Sequence, residues 1–293
     1  MSGKGFINNM DIKINLAGLI IEIEGFPYKE VPENMVPFIC ENEVKADFKY
    51  KISIKNTIKE DNGTLIFENN IRKIYINNSK YCVYFSYKMG DDSSLEISTV
   101  FDIESKEAQI YVDRKFIELT NGSGLLMSSL DIDLVLLLFN RIIMHASVVE
   151  HQNQAILFSG PSGVGKSTQA NLWKKYMNAD ILNGDRATID ISKDITNVYG
   201  SPYAGSSKIY RNEYAPIKAI ILLKQGEKNS IRQLVGMELY RNMFPRFSLA
   251  RWDDKLSNIS MNIIEEIISR IPVYELTCLP DEEAVKLVCD TVF

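Results

Sequence analysis

The sequence predicts a two-part architecture of α+β and α/β type, with a β-rich, mainly antiparallel N-terminal domain over residues 1–124 and an α/β domain over residues 125–293. Three observations lead there. Residues 11–113 alternate apolar and polar side chains in short runs, the period of strands half-buried on one face. Beyond Gly124, strand-like runs mix with amphipathic helical stretches. Finally, 293 residues exceed the roughly 100–200 of a typical domain.

In order, the strand-like runs of the first part are Ile12 to Glu24, Ala46 to Ile54, Ile71 to Tyr87, Leu95 to Phe101 and Ala108 to Val112. Turn formers separate or interrupt them at Asp61-Asn62-Gly63, Asn77-Asn78-Ser79 and Gly90-Asp91-Asp92, which suggests hairpins. This part carries no constellation of chemical groups. Asn121-Gly122-Ser123-Gly124 is the expected join, because it precedes the apolar stretch from Leu125 to Met144. In the second part His145 to Glu150, Ala155 to Phe158 and Ala219 to Leu223 read as strands, and Ser167 to Met177, Asn258 to Arg270 and Asp281 to Val292 as helices. Ile271 to Leu276 reads as one more strand, and Asn197 to Tyr214, rich in Gly, Ser, Tyr and Pro, as a loop.

Composition limits the function classes. The chain is 45% hydrophobic and 24% charged, as expected of a folded, water-soluble protein. A net charge of -5 provides no general field for nucleic acid or an acidic membrane. Cys40, Cys82, Cys278 and Cys289 lie far apart and read as apolar fillers, not a zinc or redox pair. Met1 to Asn15 lacks the apolar stretch of a signal peptide, and the longest apolar run, Leu134 to Phe139, falls far short of the roughly 20 residues that span a bilayer. The expectation is a cytoplasmic protein that contacts neither nucleic acid nor membrane.

The strongest chemical signal is Gly160-Pro161-Ser162-Gly163-Val164-Gly165-Lys166-Ser167-Thr168, which satisfies G-x-x-x-x-G-K-[ST] in full. A strand-like run leads in and a helix with the apolar face Ala170, Trp173, Met177 leads out, the context the mechanism requires. Glycines let the backbone turn its N–H groups inward, and the positive end of the following helix adds to the field, so the loop forms a nest for phosphate. Lys166 is expected at the terminal phosphates of a nucleoside triphosphate, and the Ser167 hydroxyl on Mg2+ already held by phosphate oxygens.

Two neighbouring segments refine this. Met144 to Val149, the turn Glu150 to Gln154 and Ala155 to Phe158 read as an antiparallel hairpin running into the loop. After the loop's helix, Asp180-Ile181-Leu182-Asn183-Gly184-Asp185-Arg186 reads as a strand ending in an acid. Asp185 is either a turn residue or a group that holds metal or accepts the proton of an attacking hydroxyl. His145, taken alone, is equally readable as a hydrogen-bonded core residue. In the segment Tyr199 to Asn212, Arg211 is the first candidate for a second cation on phosphate and Lys208 the next, because a guanidinium presents a fixed fork to phosphate oxygens. Arg241, Arg246 and Arg251 cluster around Pro245 and Trp252 and stay unassigned.

The hairpin bearing His145, the run GPSGVGKST and the following ILNGDRATI resemble the catalytic domain of HPr kinase/phosphorylase and its relatives, a group akin to the nucleotide half of phosphoenolpyruvate carboxykinase. The resemblance covers about half the chain and implies a P-loop kinase domain of that type, which uses ATP and Mg2+. It places His145 at the family's upstream histidine, Lys166 and Ser167 at its P-loop pair, and Asp185 at one member of an acidic pair. Gly184 and Arg186 flank Asp185, so the second acid is absent.

The function expected from these residues is ATP-dependent transfer of a γ-phosphoryl group to a hydroxyl, foremost a serine of a protein or peptide, with related peptide-maturation kinases and small-molecule acceptors within the same resemblance. Catalysis would fall to Asp185, Lys166, His145 and Arg211, metal binding to Ser167 and Asp185, and partner recognition to the N-terminal domain. A nucleotide-dependent switch or ATPase without phosphotransfer is the alternative, favoured by the missing acid. Carboxykinase-like chemistry ranks third, since His145 and His151 are the only histidines.

Overall fold

Alternating runs of Ile, Tyr, Val and Phe dominate the first part of the chain, and they form strands that bury every second side chain. The structure, a computed structural model, describes residues 10–41, 43–89, 94–119 and 123–293. The expected turn at Gly90-Asp91-Asp92 and residues 121–122 of the expected join lie outside the described residues. The chain divides into two compact units, Met1–Val135 and Leu136–Phe293, and the elements are mixed α and β with large sheets in both.

In the first unit the strands are β1 (Met10–Leu16), β2 (Leu19–Phe26), β3 (Phe48–Lys55), β4 (Thr64–Glu68), β5 (Arg72–Asn77), β6 (Lys80–Lys88), β7 (Ser94–Asp102) and β8 (Glu107–Asp113), followed by short helices α1 (Arg114–Leu119) and α2 (Ser123–Ser128). They form one sheet in the order β1-β2-β3-β8-β7-β6-β5-β4. Most neighbours are antiparallel, joined by tight turns such as Asn78–Ser79, where both residues take positive φ. The long run Ile12 to Glu24 is itself a hairpin, broken at Ala17–Gly18. The departure from a purely antiparallel sheet is β3, which runs parallel to both β2 and β8. Parallel pairing joins residues distant in sequence, so no local turn chemistry announces it. One face buries Ile14, Ile21, Phe48, Tyr50, Phe101 and Ile110, and the Tyr50 hydroxyl donates to the Leu130 carbonyl at 2.6 Å. The other face carries a small cluster of Ile58, Tyr75, Cys82 and Tyr84.

In the second unit the strands are β9 (Arg141–His151), β10 (Gln154–Ser159), β11 (Asp180–Asn183), β12 (Arg186–Asp190), β13 (Asn197–Tyr199), β14 (Tyr214–Gln225), β15 (Ser230–Gln233) and β16 (Val273–Cys278). Helix α3 (Ile132–Leu138) precedes them, and α4 (Lys166–Met177), α5 (Gly236–Met243), α6 (Asp254–Arg270) and α7 (Glu282–Val292) are interspersed. β9 and β10 form the expected hairpin, with Ala146 opposite Ser159. β10 also pairs in parallel with β14, β14 with β13, β13 with β12 and β12 with β9, so the pairing closes into a circuit. The stretch expected as a loop therefore contains β13, whose three residues are all buried.

The core around the circuit joins Val149, Ile156, Phe158, Ile221, Leu223 and Leu276 of the strands to Ala170 and Trp173 of α4 and Val285 and Val288 of α7. Trp173 is fully buried, and its truncation to alanine should cost about 3–5 kcal/mol. This packing fixes α4, and with it the loop that leads from β10 into the helix. Asp253 and Asp281 cap α6 and α7, their carboxylates accepting from the Leu256 and Ala284 amides. Among the described residues no helix is long and apolar enough to cross a membrane.

Candidate functional site

The glycine-rich segment lies between β10 and α4, its sequence Gly160 to Gly165 forming the loop and Lys166 opening the helix. Gly163 and Gly165 take φ of 77° and 114°, conformations that a side chain disfavours. No side chain caps α4, so its first-turn amides and the positive end of its dipole are directed at the loop. Lys166 is buried and folds back, its Nζ donating to the carbonyls of Gly160 at 3.2 Å and Pro161 at 3.3 Å. Ser167 and Thr168 follow on the exposed side of the first turn, and Pro161, Ser162 and Gly163 are exposed.

β9 sets what faces this loop. One edge of it pairs with β10 as far as Ala146 and Ser159, where the chain turns away into the glycine loop. Just beyond, the same edge is taken by another segment: Met144 bridges to Phe247, and the Ser248 amide donates to the Ile143 carbonyl at 2.9 Å. That segment follows the 3-10 turn Phe244–Arg246, which sets Arg246 near enough for its charge to act on Lys166. On the opposite edge of β9, Arg186 of β12 stands across from His145. Ile143, His145, Arg186, Pro245, Arg246, Phe247 and Ser248 line a cavity of about 150 Å3.

Asp185 occupies the turn between β11 and β12. Its side chain lies 3.2 Å from His145 Nδ1, which is also 3.1 Å from the Asp185 carbonyl oxygen. A proton on Nδ1 serves both oxygens; which ring nitrogen carries it follows from these neighbours. The turn is held from several sides. Fully buried Asn183 accepts from the Asp185 amide at 2.9 Å and donates to the Ser201 carbonyl at 3.1 Å, while Ser147 donates to the Gly184 carbonyl at 2.8 Å.

Electrostatics tie these groups together. Burial is the main cause that lowers the Lys166 pKa; Asp185 opposes it and Arg246 reinforces it by like-charge repulsion. Burial alone lowers that of Arg246, whose Nε is buried without a hydrogen-bond partner. Desolvated Lys166 thus feels one carboxylate and one like charge, and its burial is unfavourable until an anion binds beside it.

The structure thus brings together Lys166, Asp185 and His145. Arg211 is half-exposed and pairs with Asp180 at 3.3 Å and Glu213 at 3.4 Å. Lys208 is exposed on the same segment. The cation at the site is Arg246, one of three arginines that the sequence left unassigned; Arg241 and Arg251 are exposed. Its only sequence signal was a position beside Pro245, which ends α5 and starts the turn that presents it.

The donors fit Mg2+ only as a shared ligand. Among the described residues no group of three or more His, Cys, Asp or Glu could hold a metal by itself. The Ser167 hydroxyl and the Asp185 carboxylate supply hard oxygens, and phosphate oxygens would have to complete the shell, as suits Mg2+ with a nucleotide.

No protein-family model matches the chain, and no curated protein does. Among solved structures, the HPr(Ser) kinase/phosphatase from Coxiella burnetii is similar to it at 12% sequence identity and a TM-score of 0.31, over 51% of this chain and 95% of that one. A likeness this distant says nothing of what the chain does.

Proposed function

We propose that the second unit is an ATP-dependent kinase that transfers the γ-phosphoryl group to a hydroxyl, foremost a serine of a protein or peptide. The observation that carries this is that desolvated Lys166, folded onto the glycine loop, senses the Asp185 carboxylate, which lies 3.2 Å from His145, while the desolvated Arg246 guanidinium lines the cavity that His145 borders. Such a site gains most from an anion placed against the two cations with the carboxylate at its edge. The resemblance of GPSGVGKST and ILNGDRATI to HPr kinase/phosphorylase supports the same reading.

In this reading the loop amides hold the phosphate chain and Lys166 neutralises the charge of the migrating group. Arg246 takes the clamping role expected of Arg211, because it is the guanidinium desolvated at the site. Asp185 accepts the proton of the attacking hydroxyl, and His145 holds that carboxylate in place. Mg2+, held by Ser167 and Asp185 together with the nucleotide, would add charge neutralisation. The N-terminal domain read from the sequence over residues 1–124 serves as a recognition module for the acceptor, and the protein is cytoplasmic.

One observation favours a second reading, a nucleotide-bound switch without transfer: no second acid accompanies Asp185, and at Gly184 there is no room for one, as a Cβ there would lie 2.4 Å from the Ser207 Cβ. The test incubates the purified chain with Mg-ATP and a panel of serine peptides. Labelled peptide that disappears with Asp185→Asn supports the kinase; tight ATP binding without ADP formation or label supports the switch.

A further inference from the structure

The turn that carries Asp185 is covered by the segment Ser201–Ser207. Four hydrogen bonds strap it down: Asn183 Nδ2 to the Ser201 carbonyl and hydroxyl at 3.1 and 3.3 Å, the Ser201 hydroxyl to the Arg186 carbonyl, and the Arg186 amide to the Tyr203 carbonyl at 3.2 Å. Two glycines let the surfaces meet. A Cβ on Gly205 would come within 3.0 Å of the Asp185 carboxyl carbon, so the backbone there lies against the acid. On Gly184 it would come within 2.0 Å of the Ser207 hydroxyl oxygen, so that hydroxyl occupies the space beside the residue preceding Asp185. A side chain at Gly184 would displace Ser207, and one at Gly205 would press on Asp185 from a backbone with φ of 54°.

We infer that Ser207 is an internal phosphoryl acceptor, a hydroxyl that the chain itself presents at the acid-bearing turn. This rests on the kinase reading and extends it to a modification site. The hydroxyl is the functional group that the proposed reaction consumes, and its place in the fold is fixed on the side of the Asp185 turn. Lys166 donates to the Gly160 carbonyl, the preceding Ser159 donates to the His145 carbonyl at 2.6 Å, and His145 lies 3.2 Å from Asp185, so a terminal phosphate held at Lys166 lies close to that same turn. At rest the Ser207 hydroxyl donates to the Ala204 carbonyl at 2.6 Å, and rotation about its Cα–Cβ bond frees that proton for transfer. In the step, the Ser207 oxygen bonds to the γ-phosphorus as the bond to the β,γ-bridging oxygen breaks, ADP leaves, and the serine proton passes to Asp185. Once made, the phosphoserine adds close to two negative charges beside Asp185 and competes with the nucleotide for Lys166 and Arg246, so transfer to outside acceptors slows.

The experiment incubates the full-length protein with Mg-ATP, follows intact mass and ADP release in the same sample, and locates the phosphate by fragment ions that separate Ser206 from Ser207. One phosphoryl group at Ser207, gained at a rate independent of protein concentration and lost with Asp185→Asn, is the expected result. Ser207→Ala should abolish the label while keeping ATP affinity by calorimetry, with circular dichroism reporting its fold. ADP release or peptide labelling without phosphate on Ser207 overturns the inference and leaves the kinase reading standing. Label on another residue, label that persists in Ser207→Ala, or a rate that rises with protein concentration also overturns it. Absence of ATP binding overturns both.

Discussion

The two units dispose of their charges in opposite ways. On the N-terminal sheet, cations and acids meet in neighbour pairs: Lys49 with Glu22 and Glu24, Lys51 with Glu107, Lys73 with Glu60, Lys80 with Asp102, and Arg72 with Asp131 at 2.5 Å. The larger cavity there, about 870 Å3 and lined by Glu60, Arg72, Lys73, Tyr84 and Glu96, is bordered by groups that already satisfy one another. In the second unit Arg186 and Arg246 line a small cavity with His145, which holds Asp185, and Lys166 on the glycine loop senses both Asp185 and Arg246, with Lys166 and Arg246 desolvated. A cavity whose charges are matched is a structural feature; a smaller one lined by two arginines, one of them desolvated and repelling Lys166, is where an anion gains most.

The contrast can be broken at several points. Lys166→Ala should have the largest effect: transfer falls about 10²–10³-fold, while ATP affinity falls by no more than about tenfold because the loop amides and helix terminus remain. Calorimetry beside a transfer assay separates the two, and a variant that loses neither means that the glycine loop is not a phosphate site. Next, Arg246→Ala should lower turnover about 10²-fold, whereas Arg211→Ala leaves it near wild type. Equal effects of the two substitutions would return Arg211 to the site. Gly184→Ala should destabilise the protein by about 1–3 kcal/mol through overpacking against Ser207, seen as a melting temperature lower by several degrees.

In the first unit the effects are smaller and depend on pH. Burial lifts the Asp131 carboxyl to about 6 in spite of Arg72. Its value in the unfolded chain is about 3.9, so between these the folded state holds the extra proton. That contribution to stability is fully present below about pH 4 and is lost as pH rises through about 6. Melting temperatures across this window should fall with rising pH, and Asp131→Asn should remove that part of the slope. Smallest of all, Lys51→Ala should leave the melting temperature unchanged within error at moderate salt, since its pairing with Glu107 is solvent-exposed.

What the sequence made legible was local. Gly163, Gly165 and Lys166 define a backbone path whose chemistry is complete within a few residues, and Glu150 to Gln154 joins strands that pair with each other. Asp281 and the helix behind it likewise stand on capping chemistry within one turn. The unread part was made by distant pairing. Arg246 reaches the site because Phe247 bridges to Met144, and Ser207 reaches Gly184 because Ser201 is tied to Asn183 and Arg186. Neither contact leaves a periodicity or spacing in the chain. Arg211, chosen for its place in a polar segment, was claimed by Glu213 two residues on and by Asp180, whose proximity only the folded chain reveals. β3 was recognisable as a strand, yet its parallel partners were not.

The closed circuit of β9, β10, β14, β13 and β12 also imposes an order of events during synthesis. β10 carries the glycine loop, and its parallel neighbour is β14, so that edge has no partner until Tyr214–Gln225 has left the ribosome. A nascent chain stopped before β14 holds the whole glycine-loop motif but presents an open row of backbone amides and carbonyls along Ala155–Ser159. Such a chain is prone to pair with another of its kind, and nucleotide cannot rescue it, because the loop's anchoring strand is not yet fixed. Ribosome-bound chains from which Tyr214–Gln225 has or has not emerged should differ sharply in protease resistance, with nucleotide protecting only the longer ones.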